Sequence, residues 1–169
     1  VVGRLRRSVE RPQAHGASHA VDLAETLRRA LHLLEPECQR RGVVLQLRAP
    51  EPLHVKADPV ALDQIVHNLL MNALQAMDAV PVAQRALQLT LRREGDVGEL
   101  AVADRGPGIA PEALPHLFEP FFSTRDGGLG LGLSLCETLA QGLGGSLTAA
   151  NRPDGGAVFT LRLPLKDAP

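Results

Sequence analysis

The spacing of hydrophobic residues changes several times along this 169-residue chain. Leu23, Leu27, Ala30, Leu31, Leu34 and Cys38 recur at helical spacing. Asp22 predicts the N-cap of that helix, and Glu25 three residues on predicts a capping box. Pro36 predicts a kink and Gly42 the end. The segments "VVLQLRA" (43–49) and "LHVKA" (53–57) alternate as strands, and the short "PEP" between them predicts an antiparallel pair. Asp58-Pro59 supplies a capping carboxylate and a proline for the first turn of a second helix, which should run to about Met77. Its stripe is Leu62, Ile65, Val66, Leu69, Leu70, Ala73, Leu74 and Met77, wide enough to require a sheet beneath it.

Beyond it, "ALQLTLRRE" and "GELAVAD" alternate across a turn at Gly95-Asp96 and predict a hairpin. A loop rich in Gly and Pro follows, with a short helix near Glu112 to Phe118, and then a helix from about Leu131 to Leu143. Two strands, "GSLTAAN" and "GAVFTLRLP", close the chain. One helix before each pair of strands favours an α/β architecture with helices on one face of a mixed sheet. Residues 1–21 read as the end of a preceding helix and a polar linker, 22–165 as one domain, and 166–169 as a tail.

Composition narrows the classes. Hydrophobic residues make up 44% and charged residues 22%, with a formal net charge of -1 and pI near 6.6. No basic field is present to attract nucleic acid, and the absence of Trp and Tyr removes the usual stacking platforms. Apolar runs are too short for a membrane span. Cys38 and Cys136 stand in no metal or redox spacing and predict buried small hydrophobes in a cytoplasmic setting.

Three places carry candidate chemistry. Gln64, Asn68 and Asn72 repeat every fourth residue and form a narrow polar row beside the apolar stripe of the second helix. Asn is a poor helix former. The row is either solvated or presents carboxamide oxygens to a hard cation and phosphates. Asp104 leaves a strand and is followed by Gly106 and Gly108. That is good turn sequence, and also a carboxylate able to accept from an exocyclic amine, beside backbone that a ring can approach. Gly127, Gly128, Gly130 and Gly132 open a helix, as a tight turn or as a phosphate cradle of backbone N–H groups. Arg125 lies just ahead of them.

Taken in order, "NLLMNALQAM", "DRGPGI", "LFEPFFSTR" and "GLGLGLSL" resemble the N, G1, F and G2 boxes of the ATP-binding catalytic domain of sensor histidine kinases, in the GHKL superfamily. "VDLAETLRRALHLL" and "GGAVFTLRLPL" are similar to that family's first helix and final strand, so the likeness spans about residues 22–165. It implies a two-layer sandwich, a mixed and mostly antiparallel sheet with three main helices on one face. It also implies ATP and Mg2+ as cofactors. Asn72 would ligate magnesium, with Asn68 close to the phosphates. Asp104 would bond the adenine amine in a pocket shaped by Gly106, Gly108 and Ile109. Gly128, Gly130, Leu131 and Gly132 would hold the triphosphate with Leu133 packed nearby, and Arg125 would reach the terminal phosphate. Ala76 stands where many relatives carry a tyrosine against the base, and Gln75 where many carry a lysine.

The resemblance further implies transfer of the terminal phosphate to a histidine on a dimerisation domain outside this chain. A response regulator would lie downstream, and the full-length protein would be a homodimer with this domain in the cytoplasm, whether or not the whole is membrane-anchored. A non-catalytic nucleotide-binding regulatory module of the same fold is the alternative. Hydrolytic relatives place a glutamate where this chain has Asn68, and an amide cannot take a proton from water. His15, His19, His32, His54, His67 and His116 lack the acidic residue and proline of the family's acceptor motif. Lys56 and Lys166 lie in no P-loop pattern. Pro111 and a long loop after the glycines disfavour a methyltransferase. The loop from Ala110 to Gly128 is expected to order on nucleotide binding.

Overall fold

The computed structural model describes residues 19–49, 51–122 and 132–166. Strand β1 (Ala20–Asp22) leads into helix α1 (Leu23–Arg41), strands β2 (Val44–Arg48) and β3 (His54–Lys56), and helix α2 (Pro59–Ala76). Strands β4 (Ala86–Glu94) and β5 (Val97–Ala103), helix α3 (Gly132–Gly142), and strands β6 (Ser146–Asn151) and β7 (Ala157–Pro164) complete the order. The main sheet runs β2-β4-β5-β7-β6, and a two-stranded sheet pairs β1 with β3. Ala20 and Val21, read from sequence as linker, are thus already strand.

The pairing expected between 43–49 and 53–57 does not form. Strand β2 instead lies parallel to β4, with Val44 opposite Ala86 and Arg48 opposite Thr90. Strand β3 runs antiparallel to β1, with Val21 opposite Val55. Two prolines in the connection remove N–H donors and restrict the residues before them, which suits a wide crossing and not a tight hairpin turn. The hairpin across Gly95-Asp96 does form, with Glu94 opposite Val97.

Helix α1 starts at Asp22, whose Oδ1 accepts from Ala24 N at 3.0 Å and from Leu53 N at 3.1 Å. That carboxylate therefore ties the helix start to the approach of β3. The reciprocal Glu25 bond of a capping box is absent among the described residues. Pro36 sits on the exposed side and the helix continues through it to Arg41, ending at Gly42 in the left-handed conformation (φ 69°). Helix α2 is capped by Asp58, which accepts from Val60 N at 3.2 Å, with Pro59 in the first turn. The short helix expected near Glu112 to Phe118 is a single 3-10 turn, Leu114–His116.

Leu62, Ile65, Val66, Leu69, Leu70, Ala73 and Leu74 of α2 are buried. They meet Leu89, Leu91, Leu100, Val102, Phe159 and Leu161 from the covered face of the sheet. The register aligns these side chains: Leu91, Leu100 and Leu161 share one row, and Leu89, Val102 and Phe159 another. Each fully buried Leu or Ile contributes about 1.5–3 kcal/mol by removal from water, so this stripe is the main source of stability. Cys38 and Cys136 are buried free thiols, as expected.

On the opposite face the same register places Glu99 between Arg92 and Arg162. Arg92 Nε donates to Glu99 Oε1 and Arg162 Nε to Oε2, each at 2.9 Å, while the carboxylate is only 9% exposed. Both guanidinium groups are more than half exposed, so solvent screening limits the gain. Removing the carboxylate leaves two cations side by side across β5. Glu99→Ala is expected to destabilise the fold by about 1–2 kcal/mol, a fall of roughly 3–6 °C in Tm. Calorimetry checks this, and an unchanged Tm would show that the rung contributes nothing.

Candidate functional site

The end of β5 and the end of α2 meet beside the turn that joins β6 to β7. Asp104 follows the last residue of β5 and is 1% exposed. Its N–H donates to Ala157 O at 2.9 Å, continuing the β5–β7 ladder by one step. Its Oδ1 accepts from Gly106 N at 2.8 Å and from Ala157 N at 3.2 Å. Among the described residues, the hydrogen bonds to this carboxylate fall on Oδ1. Arg152 Nη1 donates to the Asp104 carbonyl at 2.8 Å. Burial pushes the Asp104 carboxyl above the ordinary range, opposed by the two N–H groups and by the Arg152 charge.

Gly106 lies against the last turn of α2. A Cβ there would stand 2.9 Å from Ala76 O, so only glycine permits this approach. The structure therefore brings Ala76, Asp104, Gly106, Gly108 and Ile109 together. Ile109 is half-buried and packs against the core. No large side chain at 76 fills the wall beside Gly106.

One and two turns before Ala76 are Asn72 and Asn68, both half-buried. Gln64 Nε2 donates to Asn68 Oδ1 at 3.1 Å, which joins the first two members of the polar row. Asn68 also interacts with Cys136 of α3, whose Sγ donates to Ile65 O at 3.8 Å. Burial drives that thiol up to about 11, which leaves it an inert packing group. Asn68 thus meets α3, while Gln64, one turn earlier, lines the groove between α2 and α1.

Helix α3 begins at Gly132, and a Cβ there would meet nothing within 4 Å. Among the described residues, no crowding explains glycine at this position. Leu133 is half-buried against the core. Arg125, Gly128, Gly130 and Leu131 lie outside the described residues, as do residues 123–128 of the loop expected to order on binding. The first half is packed: Ala113 and Leu117 are buried, and Phe118 meets Phe159 edge-on with centroids 6.4 Å apart. Phe121 is 76% exposed with φ 67°.

Sequence reading missed the turn after β6. Asn151 Oδ1 accepts from Ile109 N, and Asn151 Nδ2 donates to Ile109 O, both at 2.7 Å. Arg105 pairs with Asp154 at 3.1 Å. Gly156 (φ 88°) presses so closely that a Cβ would lie 2.0 Å from Asp104 O. The only hint in sequence was the glycine pair Gly155-Gly156, which reads as an ordinary turn.

Comparison with known proteins agrees with this geometry. The family of histidine kinase-, DNA gyrase B-, and HSP90-like ATPases matches residues 57–167. The C4-dicarboxylate transport sensor protein DctS of Rhodobacter capsulatus is 36% identical over 150 residues, covering 86% of this chain and 22% of that protein. The sensor histidine kinase ZraS of Escherichia coli K12 is 34% identical over 152 residues, covering 89% of this chain and 32% of ZraS. The chain thus spans about a fifth to a third of these relatives. The solved catalytic domain of histidine kinase ThkA superposes with a TM-score of 0.77 at 28% identity, covering 87% of this chain and 95% of that one. Full-length ShkA, solved in complex with AMPPNP, gives 0.76 at 30% identity, covering 89% and 31%.

The raised carboxyl has a consequence for stability. The folded chain holds the Asp104 proton more tightly than the unfolded chain does. Stability is therefore lost as pH rises from the ordinary carboxylate range through the raised value. Asp104→Asn keeps an oxygen for the Gly106 and Ala157 N–H groups and carries no charge. At pH 7 its Tm is expected to equal or exceed that of the unmodified chain, with the advantage fading towards pH 4. A clear loss of Tm at pH 7 would mean that the charge itself stabilises the fold.

Proposed function

We propose, from the premise that this chain belongs to the histidine kinase-, DNA gyrase B-, and HSP90-like ATPase family, that it binds Mg-ATP as the catalytic domain of a two-component sensor histidine kinase. The observation that carries the reading is the buried Asp104 beside Gly106 and Ala76, with Oδ1 fixed by two backbone N–H groups, so that Oδ2 would be the oxygen to meet a ligand. An adenine exocyclic amine is the complementary donor. The base would lie against Ala76, Gly106, Gly108 and Ile109, in a pocket with an aliphatic wall. In the related ShkA structure an adenine nucleotide analogue, AMPPNP, is present.

Magnesium fits the donor set. Carboxamide oxygen is a hard ligand, and Asn72 lies one turn beyond Asn68, which meets Cys136 of α3. Asn72 would hold the ion, and Asn68 would lie by the phosphates once Gln64 Nε2 releases the Asn68 oxygen. When bound, magnesium supplies charge neutralisation on the phosphate oxygens. Gly128, Gly130, Leu131 and Gly132 would present backbone N–H groups to the phosphates, with Leu133 packed beside them. Arg125 would reach the terminal phosphate.

The acceptor in this reading is a histidine of a dimerisation domain outside the chain. A neutral imidazole nitrogen attacks phosphorus with its own lone pair and needs no base. Water does need one, and Asn68 offers an amide where a carboxylate would serve. The full-length protein would be a cytoplasmic-facing homodimer that passes the phosphoryl group to a response regulator. No helix among the described residues is long and apolar enough to cross a membrane.

Three measurements test this. ATP titrated calorimetrically should bind in a magnesium-dependent way, and Asp104→Asn should weaken it about ten- to a hundredfold, the loss of one charged hydrogen bond. Affinity for the unmodified chain should fall as pH drops through the raised Asp104 value, because the protonated carboxyl has lost its charge and is the weaker acceptor. Equal affinity in the mutant would remove Asp104 from this role. With ATP labelled on its terminal phosphate, the isolated chain should neither label itself nor release phosphate above background. A protein extended upstream to include the acceptor helices should acquire acid-labile label. Steady phosphate release that Asn72→Ala abolishes would point to hydrolysis instead, and binding without transfer in the extended protein to a regulatory module.

A further inference from the structure

The turn between β6 and β7 makes no contact proposed for the nucleotide, yet it holds the Asp104–Ile109 segment at several points. Ala157 exchanges bonds with Asp104 through both its N–H and its carbonyl. Arg152 Nη1 caps the Asp104 carbonyl at 2.8 Å. The Arg105–Asp154 pair is exposed on both sides and contributes little. The most specific attachment is Asn151. Its carboxamide satisfies both backbone groups of Ile109, donor to acceptor and acceptor to donor, at 2.7 Å each. A neighbouring strand would offer the same pair of groups, so one side chain replaces a ladder step where no strand is available.

We propose that Asn151 is a positioning residue for the nucleotide site: its carboxamide locks Ile109, and with it Gly106 to Gly108, in the conformation that receives the adenine ring. This rests on the nucleotide reading given above. Among the common side chains of this length only a carboxamide can do it. Aspartate would set a negative oxygen against the Ile109 carbonyl, and alanine would offer neither group. The fit extends to Gly108, whose φ of 82° favours glycine and where a Cβ would come within 3.0 Å of Asn151 Oδ1. Asn151 itself is exposed. Its bonds therefore add little to the core, and their effect falls on which conformations the 106–109 segment occupies. A segment that spends less time in the competent conformation binds with an affinity reduced by that fraction.

The experiment compares the chain with Asn151→Ala and Asn151→Asp. It measures ATP and ADP affinity by calorimetry, Tm, and hydrogen exchange at the Ile109 amide without nucleotide. Both variants should bind about three- to thirtyfold more weakly, the effect of two neutral hydrogen bonds. The loss should be the same for ATP and ADP, because the ring and not the terminal phosphate is affected. Exchange at Ile109 should accelerate while Tm moves little. Unchanged affinity in both variants beside normal binding by the unmodified chain overturns the positioning role alone. So does a loss of affinity that merely follows a collapse in Tm. Failure of the unmodified chain to bind ATP overturns the nucleotide reading itself, and the role of Asn151 with it.

Discussion

A carboxylate taken out of water at the end of a central strand is costly to keep ionised, and the surroundings of Asp104 are arranged to hold it. Strand β5 is flanked by β4 and β7, and the β5–β7 ladder ends by giving both backbone groups of Ala157 to Asp104. The register that does so is the one that sends Phe159, Leu161 and Leu163 into the core. A slip of one residue would expose that whole set. Hydrophobic packing and site geometry are therefore one constraint, and neither can be altered without the other.

Helix α2 obeys a similar double requirement. Its buried stripe fixes the rotation of the helix on the sheet. Once that is fixed, Asn68 meets Cys136 of α3, and Gln64, one turn earlier, bonds Asn68 from the groove shared with α1. The last turn then delivers Ala76 to Gly106. Polar residues that weaken a helix in isolation are tolerated because tertiary packing, not propensity, stabilises it.

Much of this was legible in the sequence because it is local. Asp58-Pro59, the stripe of α2 and the Gly95-Asp96 hairpin depend on residues a few positions apart. The candidate site was legible for a similar reason, since its glycines and carboxylate cluster in short runs. The partners of β2 and β3 were not, because alternation reveals a strand without naming its neighbour. Asn151 escaped notice because a single asparagine at a strand end looks solvated; only the approach of Ile109 gives it a task. Asp22 was seen as a cap, and its second bond to Leu53 N was invisible for the same reason.

The parallel placement of β2 also orders events in time. Val44 meets Ala86 only after the whole of α2 has been threaded between them, whereas β4 and β5 are joined by a turn of two residues. Closing the longer loop carries the greater entropic penalty before any contact rewards it. The hairpin can therefore serve as a template on which β2 arrives late. An element that docks last contributes little to the folding barrier and much to the rate of unravelling. The lifetime of the native state, more than the speed of reaching it, then depends on the edge where β2 is laid down.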